Sequence, residues 1–187
     1  IGFTGDPPTT INGDVNITDP DIELRNGVVH GIDAVLLPPS ASMTIWEYLQ
    51  DSQDHTTFFA LLSDSETTDF QTILNDEGPY TVFAPTNDAF AEADLTNLTD
   101  NDIDNVLRYH IVEGNNLSYE LYRAGSAETL FENNTLSFDA RYFILYINYE
   151  FGIPDPSGAK TIEKNVLRST GIIQVIDAVL IPPTDVE

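Results

Sequence analysis

The sequence predicts an α+β fold in which helices come first and a largely antiparallel sheet follows. Three observations carry that reading. Apolar residues recur at helical spacing between Trp46 and His110. Runs rich in aromatic and β-branched residues, joined by short links, fill the stretch from Thr135 to Ile181. The segment GVVHGIDAVLLPP, starting at Gly27, returns as GIIQVIDAVLIPP, starting at Gly171, 144 residues later.

The repeat organises the chain. Each copy opens on a turn glycine, continues through a β-branched pair and an apolar run, and closes on Pro-Pro, which has no N–H for a ladder. An offset of this length is too long for a solenoid repeat and suits a tandem domain. Residues 1–39 are therefore expected to be the C-terminal strands of a preceding domain. Residues 40–187 are expected to be a complete copy, joined to it by the short, stiff link Pro38-Pro39-Ser40-Ala41.

Within the complete copy, Thr44 and Glu47 form a capping box at the start of the first helix. Phe58, Leu61 and Leu62 mark a second helix, and Phe70, Ile73 and Leu74 a third. Gly78-Pro79 breaks the pattern, and Tyr80 to Ala84 reads as a buried strand. A short helix from Asn87 to about Ala93 is capped by Thr86; another runs from about Asp100 to His110 with Ile103, Val106, Leu107 and His110 on one face. Thr135 to Asp139 alternates as a strand. Tyr142 to Phe151 reads as a long aromatic strand, with Phe143, Leu145, Ile147, Tyr149 and Phe151 facing the core. A Pro/Gly loop covers residues 152–158, and strands resume from Thr161 to Ile181.

Composition excludes several classes of function. At 41% hydrophobic and 10% aromatic the chain can bury a core. No apolar run approaches the ~20 residues that span a bilayer, so no membrane insertion is expected. Cysteine is absent, which removes disulfides, thiolate metal sites and cysteine nucleophiles. Seven basic residues stand against 31 acidic ones, a net charge of −24, and not one Lys or Arg lies between Arg25 and Arg108. Such a surface repels nucleic-acid phosphates and anionic headgroups. It attracts cations, either as general screening in salty surroundings or at a specific calcium site. Asp14-x-Asn16-x-Thr18 resembles the start of a calcium loop, but Asp19 and Arg25 stand where the turn glycine and the bidentate Glu belong. Asn16, Asn97, Asn116 and Asn133 head N-x-S/T sequons; about two would arise by chance in this composition, so four decides nothing.

Three segments, in order, resemble one known family. YTVFAPTNDAF (80–90) is similar to the first signature of fasciclin-like domains, LRYHIVEG (107–114) to their Tyr-His segment, and STGIIQVIDAVLIPP (169–183) to their closing signature. The resemblance implies a seven-stranded β-wedge with helices packed at one side, often in tandem on extracellular proteins of adhesion or matrix. The closing signature usually carries His, which is His30 in the first copy but Gln174 in the second. An Asp-Ile pair tied to adhesion in some animal members stands as Asp21-Ile22 in the first copy and as Asn165-Val166 in the second.

The expected function is a non-catalytic binding or adhesion module, secreted or at a cell surface, whose partner is a protein or polysaccharide of the matrix or cell surface. A structural spacer and a carrier of a small hydrophobic ligand are the alternatives. No nucleophile elbow, zinc-protease motif or phosphate loop occurs, and no cofactor or metal is expected. His110 reads as a buried, neutral histidine or, with Tyr109, as part of the family's ligand surface. Tyr142 and Tyr146, on the face opposite Leu145, form a candidate aromatic platform. The tail's Val28, Val29, Ile32, Val35 and Leu36 need cover, which makes a homodimer through the N-terminal tail a further expectation.

Overall fold

The computed structural model describes residues 3–5, 8–11, 15–34, 36, 42–76, 78–93, 95–149 and 158–183. The chain divides into two compact units, Ile1–Ser40 and Ala41–Glu187.

The first unit is a four-stranded antiparallel sheet in simple order: β1 (Phe3–Gly5), β2 (Pro8–Ile11), β3 (Val15–Leu24) and β4 (Gly27–Ile32). Ile11 and Val15 are its buried residues among those whose side chains are described. Ile22, Leu24, Val28, Val29 and Ile32 are exposed. Val35 lies outside the described residues.

The second unit begins with helices α1 (Ile45–Asp51), α2 (Thr56–Asp64) and α3 (Phe70–Asn75). The Thr44–Glu47 capping box closes as the sequence predicts: the Glu47 N–H donates to Thr44 Oγ1, and the Thr44 N–H to Glu47 Oε2. Strand β5 (Tyr80–Pro85), helix α4 (Asn87–Glu92), helix α5 (Asp100–Tyr109) and strand β6 (Ile111–Glu113) follow. Helix α6 (Ser118–Ala124), which the sequence reading does not foresee, precedes β7 (Ser126–Glu128), β8 (Thr135–Arg141), β9 (Ile144–Ile147), β10 (Ala159–Arg168) and β11 (Gly171–Ile176).

The sheet order is β6-β5-β11-β10-β9-β8-β7. All neighbours are antiparallel except β5 and β11. That parallel pair is buried on both faces, which is why YTVFAP and GIIQVI are near-continuous apolar runs rather than alternating ones. A bridge between Val112 and Thr129 brings the two ends of the sheet together, folding it into a wedge. One core lies between the helices and the sheet, built on Ile45, Leu49, Phe58, Phe70, Leu74 and Ile173. A second lies inside the wedge, built on Phe83, Tyr109, Leu136, Phe138, Leu145 and Ile147. This is the seven-stranded α+β wedge that the resemblance implies. Thr170, in the β10–β11 turn, joins sheet to helices: its hydroxyl accepts from the Ile45 N–H and donates to the Leu74 carbonyl.

The long aromatic strand expected over residues 142–151 is corrected to four residues, β9. Tyr142 and Phe143 form the two-residue β8–β9 turn, with φ of 51° and 67°. Phe143, expected in the core, is therefore exposed, and so is Tyr149. Leu145 and Ile147 are the buried pair, and Glu150 and Phe151 lie outside the described residues. Strands from Thr161 onward end at Ile176 as the β10–β11 hairpin.

The two units repeat one pairing scheme. In β3–β4 the partners are Ile17↔Ile32, Asp19↔Gly31, Ile22↔Val29, Glu23↔Val28 and Leu24↔Gly27. In β10–β11 they are Thr161↔Ile176, Glu163↔Val175, Val166↔Ile173, Leu167↔Ile172 and Arg168↔Gly171, the same pairs shifted by the 144 residues that separate Gly27 from Gly171. Both register shifts recur at equivalent places, and the residue in the left-handed region is Asp21 (φ 56°) in one and Asn165 (φ 58°) in the other. Asp and Asn tolerate that conformation better than other non-glycine residues. The strand order β1-β2-β3-β4 likewise parallels β8-β9-β10-β11.

The stretch between Arg25 and Arg108 includes α1 to α4 and supplies no cation of its own, so the like charges there depend largely on solvent counterions. Melting temperature should rise between ~10 mM and ~1 M monovalent salt as repulsion is screened. A flat or falling curve contradicts this. A much larger effect of millimolar calcium than of matched magnesium would instead identify a specific site.

Candidate functional site

Helix α5 opens with a second capping box, Thr99 with Asp102, and its last turn delivers Tyr109 and His110 to the interior. Tyr109 is buried; its hydroxyl donates to the Thr135 carbonyl (3.1 Å) and accepts from Asn148 Nδ2 (2.8 Å). Burial raises its pKa, with the Asn148 bond pulling the other way. His110 is fully buried. Its Nδ1–H donates to the Val106 carbonyl (2.7 Å), and its Nε2 accepts from the Leu180 N–H (2.9 Å), which fixes the neutral Nδ1–H tautomer. Its carbonyl accepts from the Phe83 N–H (2.9 Å). The Tyr-His pair thus latches α5 to β5, β8 and the segment after β11. It presents neither ring to solvent.

Burial pushes the His110 pKa down to about 4, against a weaker opposing pull from the Val106 carbonyl. In the unfolded chain the group titrates near 6.5. Between those values the unfolded state binds the extra proton, so stability rises with pH. The contribution is complete above about 6.5 and is lost as pH falls through about 4, a span worth about 3 kcal/mol. NMR should show the His110 ring still neutral at pH 5.5, and His110→Asn should flatten the stability slope between pH 6.5 and 4.5. A ring titrating near 6.5 would contradict the latch.

A buried carboxylate on the same helix escaped the sequence reading. Asp104 is buried; it accepts from Ser65 Oγ (2.8 Å) and Thr68 Oγ1 (3.0 Å) and forms an ion pair with Arg108, whose Nε lies 2.8 Å from Oδ2. Burial alone would raise its pKa, but the hydroxyls of Thr67, Ser65 and Thr68, with the Arg108 charge, together hold it below the usual carboxylate value. Every partner is a structural clamp between α5 and the α2–α3 link.

The remaining two candidates lie at the β8–β9 hairpin. Tyr142 is 92% exposed and its neighbour Phe143 94%. Two-residue hairpin turns with positive φ at both positions favour Asn-Gly, because a Cβ and a bulky ring are strained there. Lys164 Nζ donates to the Phe143 carbonyl and braces the turn from β10. Tyr146 is half-buried on the outer side of β9, between Asp139 of β8 and Lys160 of β10, with its ring 5.1 Å from that of Tyr149. Ile144 opposite Arg141, and the exposed Ile162 of β10, extend the same outer side. Residues 141–168 hold four of the seven cations, Arg141, Lys160, Lys164 and Arg168, in an otherwise acidic chain. The structure therefore separates the four candidates: Tyr109 and His110 inside, Tyr142 and Tyr146 on an aromatic hairpin.

Among the described residues no group of His, Asp and Glu is placed to hold a metal, and no helix is long and apolar enough to cross a membrane.

The second unit is thus a seven-stranded wedge with helices on one side and an exposed aromatic hairpin. Residues 53–182 match the Fasciclin domain family, and the chain belongs to it. It is 31% identical over 150 residues to Protein sll1483 of Synechocystis sp., covering 76% of each chain. It is 35% identical over 130 residues to human periostin, covering 70% of this chain and 15% of that one. Against the rabbit transforming growth factor-beta-induced protein ig-h3 it is 28% identical over 166 residues, covering 86% of this chain and 22% of that one. It thus spans most of the cyanobacterial relative and less than a quarter of each animal one. A FAS1 domain pair from the insect cell adhesion molecule fasciclin I shares the fold, with a TM-score of 0.61, 19% identity, and coverage of 89% of this chain and 59% of that one.

Proposed function

We propose that this chain is a secreted or cell-surface adhesion module that binds a protein or polysaccharide of a matrix or cell surface, without chemistry, through the β8–β9 hairpin. One observation carries the reading. Tyr142 and Phe143 stand almost fully in solvent on backbone that disfavours them. A strained, exposed aromatic pair at a turn costs stability and loses apolar cover, which is the pattern of a contact site rather than of a scaffold. The fasciclin relationship supports the same reading, since a solved neighbour is a cell adhesion molecule.

The test is a pull-down against insoluble polysaccharides and matrix proteins, with and without calcium, using the full chain and Tyr142→Ser/Tyr146→Ser. The double change should leave stability nearly intact and weaken any binding at least about tenfold, as loss of exposed aromatic anchors does. Equal binding by both proteins would move the site away from the hairpin, and no binding by either would point instead to a spacer role.

The domain organisation that accompanies this reading is one complete fasciclin copy over residues 40–187, preceded by the C-terminal strands of another over residues 1–39. It is supported by the repeated pairing scheme of β3–β4 and β10–β11.

A further inference from the structure

Two hairpins with one pairing scheme have opposite surroundings. Ile172, Ile173 and Ile176 of β11 are at most 2% exposed, while their equivalents Val28, Val29 and Ile32 of β4 are 54%, 48% and 37% exposed. β11 has β5 on its far side; β4 is the edge of its sheet. An atom at the Cβ position of Gly171 would run into the Tyr80 carbonyl oxygen and lie 2.9 Å from Ile45 Cδ1, so glycine is required there. At Gly27 the same added atom meets nothing within 4 Å. The first copy keeps a glycine whose crowding neighbour is missing.

A buried polar contact repeats the pattern. In the second copy the Asn165 N–H donates to Gln174 Oε1 (3.0 Å), while Gln174 Nε2 donates to Asn165 Oδ1 (2.9 Å) and to the Asn116 carbonyl (3.3 Å). In the first copy the Asp21 N–H donates to His30 Nδ1 (3.1 Å). His30 therefore reproduces the clamp across the bulge, and its Nε2 corresponds to the Gln174 Nε2 that reaches a carbonyl beyond the hairpin. Side chains at both positions changed together while the bond across the bulge was kept.

We infer that β4 is an acceptor for a parallel strand of the Tyr-Thr-Val-Phe-Ala-Pro kind, supplied by the preceding part of the same polypeptide. The inference rests on reading residues 1–39 as closing strands. The register is set by β5 and β11, where Gly171 faces Tyr80 and Ile176 faces Pro85. The incoming tyrosine falls opposite Gly27 and the incoming proline opposite Ile32. Val28 and Val29 then gain the lateral strand neighbour that Ile172 and Ile173 have in β5, and His30 Nε2–H gains a carbonyl.

The probe is a synthetic peptide with the sequence of residues 78–90, added at millimolar concentration to the full chain and to Gly27→Val. Backbone amide exchange at residues 28–32 should slow about tenfold with the peptide. It should not slow with a scrambled peptide, nor in Gly27→Val, whose side chain occupies the space the incoming carbonyl needs. No slowing, equal slowing by the scrambled peptide, or slowing retained in Gly27→Val overturns the proposal. Protection present without peptide and rising with protein concentration also overturns it, because the occupant is then a second copy in a tail-mediated homodimer. Missing cross-strand NOEs between Glu23 and Val28 would sink the closing-strand reading itself, a separate failure.

Discussion

Gly171→Ala should destabilise the second unit by more than about 4 kcal/mol, enough to lower its melting temperature by about 10 °C or to prevent folding. The methyl group would enter the space held by the Tyr80 carbonyl, with the Tyr80 carbonyl carbon at 2.8 Å and Ile45 Cδ1 at 2.9 Å. Backbone cannot move aside there, because Tyr80 is fixed from both sides, by β11 and by β6. The glycine also has a φ of 152°, a conformation rare for residues with a side chain. Gly27→Ala, the same substitution at the equivalent place in the first unit, should change stability by less than about 0.5 kcal/mol. Thermal melts of the two variants check both halves. Comparable losses would mean that Gly27 is already crowded by a partner.

That contrast shows what could be read from residues alone. The two closing segments share Ile-Asp-Ala-Val-Leu and Pro-Pro, so the repeat was legible, and β-branched pairs after glycine placed β4 and β11 correctly. The capping box at Thr44 was legible, because a hydroxyl followed three residues later by a carboxylate has a local cause; the box at Thr99 has the same cause but was not drawn from the sequence. Burial of β5 and β11 followed from unbroken apolar runs. Helix α6 was missed because only Leu121 of its seven residues is buried, leaving no apolar stripe to find. Asp104 was missed because the Ser65 and Thr68 hydroxyls that hold it lie 39 and 36 residues away, and its i,i+4 partner Arg108 alone reads as an ordinary surface pair. The paired exchange of Asn165 with Gln174 for Asp21 with His30 looked like two departures from a signature. Folding shows one contact, since the two positions face each other across a bulge.

The aromatic hairpin misled the sequence reading for a related reason. Residues 142–147 are an unbroken run of aromatic and aliphatic residues of the kind strands favour, and nothing in Tyr142-Phe143 announces a turn, since turn-forming dipeptides are built from Asn, Asp and Gly. The same absence of turn chemistry supplies a strong test of function. Tyr142→Asn/Phe143→Gly gives the β8–β9 link the residues its backbone geometry favours. Both present side chains pay a left-handed penalty of about 1 kcal/mol or more each, and neither ring recovers it by burial, at 92% and 94% exposure. The double variant should therefore be more stable than the natural chain by about 1–2 kcal/mol, after allowing for the entropy glycine loses on folding. Lys164 still reaches the carbonyl of residue 143, because that bond is to backbone. If the hairpin is the contact site, binding to any partner found by pull-down should fall at least about tenfold in the same variant. Higher stability with lost binding would show that the strained pair is kept for contact. Lower stability would show that the rings support the fold, and unchanged binding would move the site away from this hairpin.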